Sequence, residues 1–308
     1  MSTDAAPLRA LPPVVGYADF DVLHDDIPRW RALVASFAAR YSDAPFTPME
    51  EGTVLVGLLG DELVFKLYPP FLRDHFEFEA AMLPRLHGRL SVPTPRLVDR
   101  GEIDGWPFVV MTQLPGAPLT TTWPGLDEAA KCAVLSAIGR VAAEVHALPV
   151  DGQRALAPRW ADFIERQRAG CRRRQERVGL PPQLLAQLEP FIAGELPGGP
   201  DVMLTGEYTP MNLLHGPQGL AGMYDFGDGL IGLAGYDWLG PLCFLAAGSR
   251  ERVDAYLEGY GAARDRRWRL PALRMLLLHR YSNPRAQIAH PGWQAARSFE
   301  EVVELVWP

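Results

Sequence analysis

Lysine is almost missing from this chain. Of its 30 basic residues only Lys66 and Lys131 are lysines, and neither follows a glycine, so no phosphate loop of the G-K-[ST] type exists. Positive charge is scarce overall. The formal net charge is −7, which argues against a nucleic-acid binder with its basic patch. The three cysteines, Cys132, Cys171 and Cys243, lie far apart and show no C-x-x-C spacing. That argues against zinc and against a disulfide framework, and makes a reducing cytoplasm the expected compartment. No apolar run approaches the roughly 18 residues of a membrane span, so no membrane association is expected. Asp4 and the want of an apolar h-region near the start predict no signal peptide.

What is present is enough for two lobes and a sizeable core: 308 residues, 48% of them apolar. Residues 1–20 read as a loose arm. A helix starts at Asp25-Asp26, with Trp30, Leu33, Phe37 and Tyr41 at helical spacing. Two strand-like runs, 52–57 and 62–68, meet across the Gly60-Asp61 turn. The next helix spans about Leu72–Leu86, and Pro84 predicts a kink or an early end there. Strands are expected near Leu97-Val98 and over 108–112. Leu114-Pro115-Gly116 marks the lobe boundary, which gives lobes of 1–114 and 115–308. Beyond it the chain reads as helices over 127–146, 160–177 and 182–196, then a short strand at 202–204. A hairpin around Gly216-Pro217 follows, and the remainder is helical. A strand-rich first third and a mainly helical remainder predict an α+β class.

The chemistry-bearing residues lie on both sides of that boundary. Glu207 precedes Asn212 by five residues, and Asp225 opens Asp-Phe-Gly-Asp thirteen residues later. A loop acid, a metal-binding Asn and a D-F-G Asp at this spacing handle magnesium and the attacking hydroxyl in kinase-like phosphotransferases. Asn212 and Asp225 are the expected metal ligands, and the hairpin between them should bring them side by side. Asp225 could otherwise be an Asx-turn before Gly227. Lys66, in a strand, supplies the compact ammonium that suits a buried phosphate contact. Its expected partner is Glu79, on one helix face with Phe76, Leu83 and Leu86; Glu77 is the alternative.

Gly52, Thr53 and Gly57 border a strand where backbone amides could approach phosphates, although a strand glycine often only marks a bulge. Met111, Thr112, Gln113 and Leu114 form either a hinge for adenine or an ordinary connection. Asp237 reads as a helix N-cap and as a brace for the loop, two compatible roles. Asp228 is a further metal group or a turn residue. The arginines at 166, 168, 172, 173, 174 and 177 read as a solvated helix face. His146, His215 and His279 read as structural.

Taken as a set, these motifs resemble the aminoglycoside phosphotransferase family, which includes hygromycin phosphotransferases and choline kinases. The similarity runs from about residue 27 onward. It is carried by Val64–Pro70, Phe78–Leu83, Val92–Pro95, Val110–Gly116, Glu144–Pro149, the loop to Asn212, Asp225–Asp228 and Tyr236-Asp237. The resemblance implies a two-lobed protein-kinase-like fold, with a small β-rich N-lobe for nucleotide and a larger helical C-lobe for the acceptor. It also implies ATP (or GTP) as donor, Mg2+, and a hydroxyl acceptor of the aminoglycoside-antibiotic or small-metabolite kind. One motif departs from the family: Thr205-Gly206-Glu207 stands where His-Gly-Asp is usual. Glu keeps the carboxylate and adds about 1.5 Å of reach. The alternative reading is a nucleotide-binding pseudokinase, a regulatory module without transfer.

Overall fold

Strand alternation organises the first part of the chain. In the computed structural model, which describes residues 8–50, 52–263 and 265–308, five strands make one antiparallel sheet. They are β1 (Phe46–Pro48), β2 (Leu55–Leu59), β3 (Leu63–Leu67), β4 (Leu97–Ile103) and β5 (Trp106–Thr112), in the spatial order β1-β2-β3-β5-β4. Alternate side chains share a face. Leu55 with Leu59, Phe65 with Leu67, and Trp106 with Phe108 and Val110 therefore join one core. Two helices complete that core, α1 (Tyr17–Asp25) through Phe20 and Leu23, and α2 (Ile27–Ala38) through Trp30, Val34 and Ala38. The fully buried stripe of α2 is thus 30/34/38, with Leu33, Phe37 and Tyr41 flanking it.

The loose arm expected over 1–20 is corrected at its end. Helix α1 starts at Tyr17, because burying Phe20 and Leu23 orders it; residues 1–7 lie outside the described ones. The strand expected from Gly52 begins only at Leu55. Gly57 has a packing role, since a Cβ there would overlap the Phe46 ring.

Lys66 lies between Phe65 and Leu67, so it emerges on the opposite face of the sheet. Helix α3 (Arg73–Leu86) brings Glu79 to it. Pro84 does not end α3 before Leu86. It sits in the last turn, where its missing N–H forfeits one bond while Leu83 and Leu86 stay buried.

The chain divides into two compact units. One takes the chain up to Arg89 with Thr94–Leu114, the other Leu90–Pro93 with Pro115–Pro308. The second unit holds the short α4 (Leu119–Thr122), then α5 (Glu128–His146), capped by Asp127, and α6 (Trp160–Arg177). The single helix expected over 182–196 is two pieces, α7 (Pro182–Leu185) and α8 (Leu188–Ile192). Pro190 has no N–H for the carbonyl of Ala186, so the helix stops and restarts with Pro190 in a first turn.

Its strands form two small antiparallel sheets. β6 (Ala117–Pro118), β8 (Leu213–Gly216) and β9 (Gly219–Met223) make one, and β7 (Asp201–Leu204) with β10 (Leu230–Leu233) the other. Helices α9 (Leu239–Phe244), α10 (Arg250–Tyr260), α11 (Arg269–Leu278), α12 (Pro284–Gln287) and α13 (Phe299–Val306) finish the chain. Among the described residues no helix is long and apolar enough to cross a membrane. The three cysteines are free thiols.

Candidate active site

In the first unit a buried ion pair dominates. Lys66 Nζ lies 2.7 Å from Glu79 Oε2, with Lys66 7% exposed and Glu79 fully buried. The Tyr68 hydroxyl also donates to that carboxylate. Glu77 is exposed. A buried carboxylate without partners would carry a large desolvation penalty, and two donors offset it here.

The other residues singled out in this unit are less gathered. Gly52 and Thr53 are exposed, and Gly52 has a φ of 137° that a side chain would disfavour. Met111 is buried at the end of β5. The Thr112 amide donates to the Arg96 carbonyl at 3.0 Å and the Gln113 amide to the Glu62 carbonyl at 2.7 Å. Those two N–H groups are therefore held by the unit itself. Within the stretch 111–114, Leu114 remains as the candidate donor to a base.

In the second unit the loop after β7 is pinned from below. Asp237, 1% exposed, accepts from the amides of Thr205 and Gly206, each at 2.9 Å, and from the Thr205 hydroxyl at 3.3 Å. His146 Nε2 donates to the same carboxylate at 3.1 Å, and its Nδ1 meets the Tyr260 hydroxyl at 2.8 Å. Asp237 is therefore a brace for the loop. The N-cap reading is corrected, since Trp238 occupies the N-cap of α9 and the Asp237 carboxylate is taken by the loop.

Gly206 has a φ of 85°, and a Cβ there would overlap the carbonyl oxygen of Asp228. Only glycine fits both demands. Gly206→Ala is expected to cost about 2–4 kcal/mol, through backbone strain and overlap together. A urea midpoint equal to that of the unsubstituted protein would contradict this close approach.

The loop acid and the hairpin come together. Asn212 Nδ2 donates to Glu207 Oε2 at 3.2 Å and to the Glu207 carbonyl at 3.5 Å. The β8–β9 ladder pairs Leu213 with Met223 and continues in a 3.1 Å bond from the Tyr224 amide to the Asn212 carbonyl. Asp225 is the next residue, so positions 212 and 225 end the same hairpin. Asp225 has a φ of 68°, a left-handed conformation uncommon outside glycine and asparagine. Phe226 beside it is fully buried.

Asp228 accepts from the Tyr281 hydroxyl at 2.7 Å and pairs with Arg280 at 3.4 Å. Burial, then the charges of Asp228 and Asp225, push the Glu207 carboxyl up to about 8. The cluster is thus short of positive charge.

Among the described residues no group of three or more His, Cys, Asp or Glu side chains is arranged to hold a metal. Magnesium does not require one. It takes one or two protein oxygens and completes its octahedron with water and phosphate. An amide oxygen and a carboxylate at one hairpin end, beside carboxylates that raise each other's affinity for positive charge, fit such an ion.

The phosphotransferase enzyme family matches residues 48–276. The chain belongs to that family. An aminoglycoside 3'-phosphotransferase of Streptomyces ribosidificus is 35% identical over 94 residues, 30% of this chain and 34% of that enzyme. The match spans about a third of that relative's length.

Solved structures share the kinase-like α+β fold at low identity. The GDP complex of aminoglycoside 2'-phosphotransferase-IIIa superposes with a TM-score of 0.66 at 17% identity, covering 91% of this chain and 99% of that one. The streptomycin–ATP complex of APH(2")-IIa gives 0.59 at 16%, covering 82% and 92%. Macrolide 2'-phosphotransferase MphH of Brachybacterium faecium gives 0.59 at 19%, covering 85% and 90%.

Two features of this phosphotransferase-family chain are not legible in its sequence. His146 reads as an ordinary structural histidine, yet it bonds to the brace of the loop after β7. Arg280 and Tyr281 stand out by no spacing at all, because their role depends on α11 ending beside Asp228. Of the arginines on α6, those at 166, 168, 172, 173 and 177 are exposed, as expected of a solvated face. Arg174 is half-buried and bonds to the Leu277 carbonyl.

Proposed function

We propose that this protein moves the γ-phosphoryl group of ATP, or of GTP, to a hydroxyl of a small molecule, with Mg2+ as its cofactor. The observation that carries the reading is the gathering of Glu207, Asn212 and Asp225 around one pinned loop. Solved relatives carrying ATP and GDP support a purine nucleotide as donor. Aminoglycosides and macrolides are the acceptor classes in their names.

In this reading Lys66, held by Glu79, contacts the α- and β-phosphates, and the end of the 111–114 stretch meets the base, with the Leu114 amide as donor. Gly52 and Thr53 border the phosphates. Asn212 and Asp225 would hold magnesium, which would supply positive charge to the phosphate oxygens. Glu207 orients the acceptor hydroxyl and takes its proton as the oxygen bonds to the γ-phosphorus. The bond from that phosphorus to the bridging oxygen breaks, and the electron pair leaves with the nucleoside diphosphate. The chain contributes position and electrostatics, which carry most of the catalysis in phosphoryl transfer. Using a nucleoside triphosphate, it would act in the cytoplasm.

The test is Glu207→Gln in full-length protein with Mg–ATP or Mg–GTP and a panel of antibiotics and metabolites. The unsubstituted protein should add one phosphate to an acceptor, read by mass. The variant should keep its nucleotide affinity and lose transfer by roughly 10²- to 10⁴-fold. Nucleotide binding without transfer to any acceptor or to water would favour the pseudokinase reading instead.

A further inference from the structure

Glu207, Asp225 and Asp228 lie around the loop after β7, and Arg280 pairs with the last of them. Arg280 leaves the end of α11 with its guanidinium 3.4 Å from Asp228 and against two aromatic faces, 5.5 Å from the Phe163 centroid and 6.0 Å from that of Tyr281. Its side chain is only 20% exposed, so its position is set by packing rather than by solvent. Asp228 in turn lies against the loop, its carbonyl oxygen where a Cβ on Gly206 would stand, one residue before Glu207. Tyr281 is bonded through its hydroxyl to Asp228, yet its ring is 41% exposed. The catalytic loop itself exposes Met211. Around the loop that carries Glu207 this unit holds the Arg280 guanidinium against Asp228 and exposes part of Tyr281 and of Met211. Asp228, the carboxylate most able to greet an ammonium group there, is already engaged by Arg280 and Tyr281.

We infer that Arg280 is a specificity-determining residue, which disfavours acceptors carrying several ammonium groups near the reacting hydroxyl and selects hydroxylated molecules of low positive charge with an apolar face. The inference rests on the phosphotransferase reading above. A like charge placed against a partly desolvated guanidinium weakens binding strongly, and an exposed aromatic ring rewards an apolar ligand surface. An acceptor with a single amine can turn that amine away from Arg280; a polyamine has fewer orientations that do so.

The test uses the full chain with Mg–nucleotide and two probe sets, polycationic aminoglycosides and macrolides, which carry a single amino sugar on a large apolar lactone ring. kcat/KM for macrolides should exceed that for aminoglycosides by about tenfold or more. Arg280→Glu should shift the ratio towards aminoglycosides by at least about tenfold, mainly through KM, while Arg280→Lys should keep the original order. Arg280→Gln, which retains a hydrogen bond for Asp228, serves if the Glu variant does not fold. Where neither set is phosphorylated, titrating both into the Mg–nucleotide complex decides. Tighter macrolide binding supports the inference, whereas equal or tighter aminoglycoside binding, or no binding by either, overturns it. Failure to bind any nucleotide would instead remove the phosphotransferase reading itself.

Discussion

Replacing Glu79 by Ala should lower the stability of the first unit by about 3–5 kcal/mol, because it leaves the ammonium of Lys66 buried without its counter-charge. The Tyr68 hydroxyl would lose the same acceptor. In a chain of this size each kcal/mol moves the melting temperature by roughly 2–4 °C, so the shift is readily measured. The double substitution Lys66→Met with Glu79→Leu separates structure from function. Apolar replacement of a whole buried pair is often neutral for stability, so much of the loss should return while phosphotransfer stays abolished. A single Glu79→Ala variant that melts within a degree of the unsubstituted protein would show that the pair contributes little.

Asp237→Ala should have an effect of similar size on the second unit. It removes the acceptor for two buried amides, a hydroxyl and an imidazole at once. Each buried donor left without a partner costs about 1–3 kcal/mol, and relaxation of the loop recovers part of the total. About 3–4 kcal/mol is the expected net loss. Turnover should fall by about 100-fold, because displacing Glu207 by an ångström misaligns the acceptor hydroxyl. Nucleotide affinity should change much less. Asp237→Asn is expected to rescue little, since its amide hydrogens would face the amides they are meant to satisfy. Near-normal turnover in either variant would mean that the loop holds its shape without the brace.

Several local features were legible in the sequence because the relevant chemistry is local. The runs 52–57 and 62–68 read as strands, with Lys66 inside the second. The Gly60-Asp61 turn and the hairpin after Asn212 declare themselves through turn chemistry and spacing. Helix α6 was readable to its ends, Trp160 and Arg177. Where the reading missed, a non-local force was responsible. Core packing ordered α1 within an arm that has no strong helix signal, and carried α3 through Pro84. The packing reason for glycine at 57 was also not legible, because the ring that needs its space comes from β1, eleven residues away in sequence.

Sequence alone determined which residue types the chain can bring to a phosphate: one strand lysine, a loop acid, and an amide and a carboxylate a hairpin apart. It did so because those spacings lie within single elements, where backbone geometry fixes direction. Only the tertiary structure decided that His146 and Tyr260 support Asp237 beneath the loop, that the Tyr68 hydroxyl joins Lys66 on Glu79, and that Arg280 stands beside Asp228. Those partners come from separate helices, strands and loops, and no local rule relates their positions until the hydrophobic core has packed the elements together.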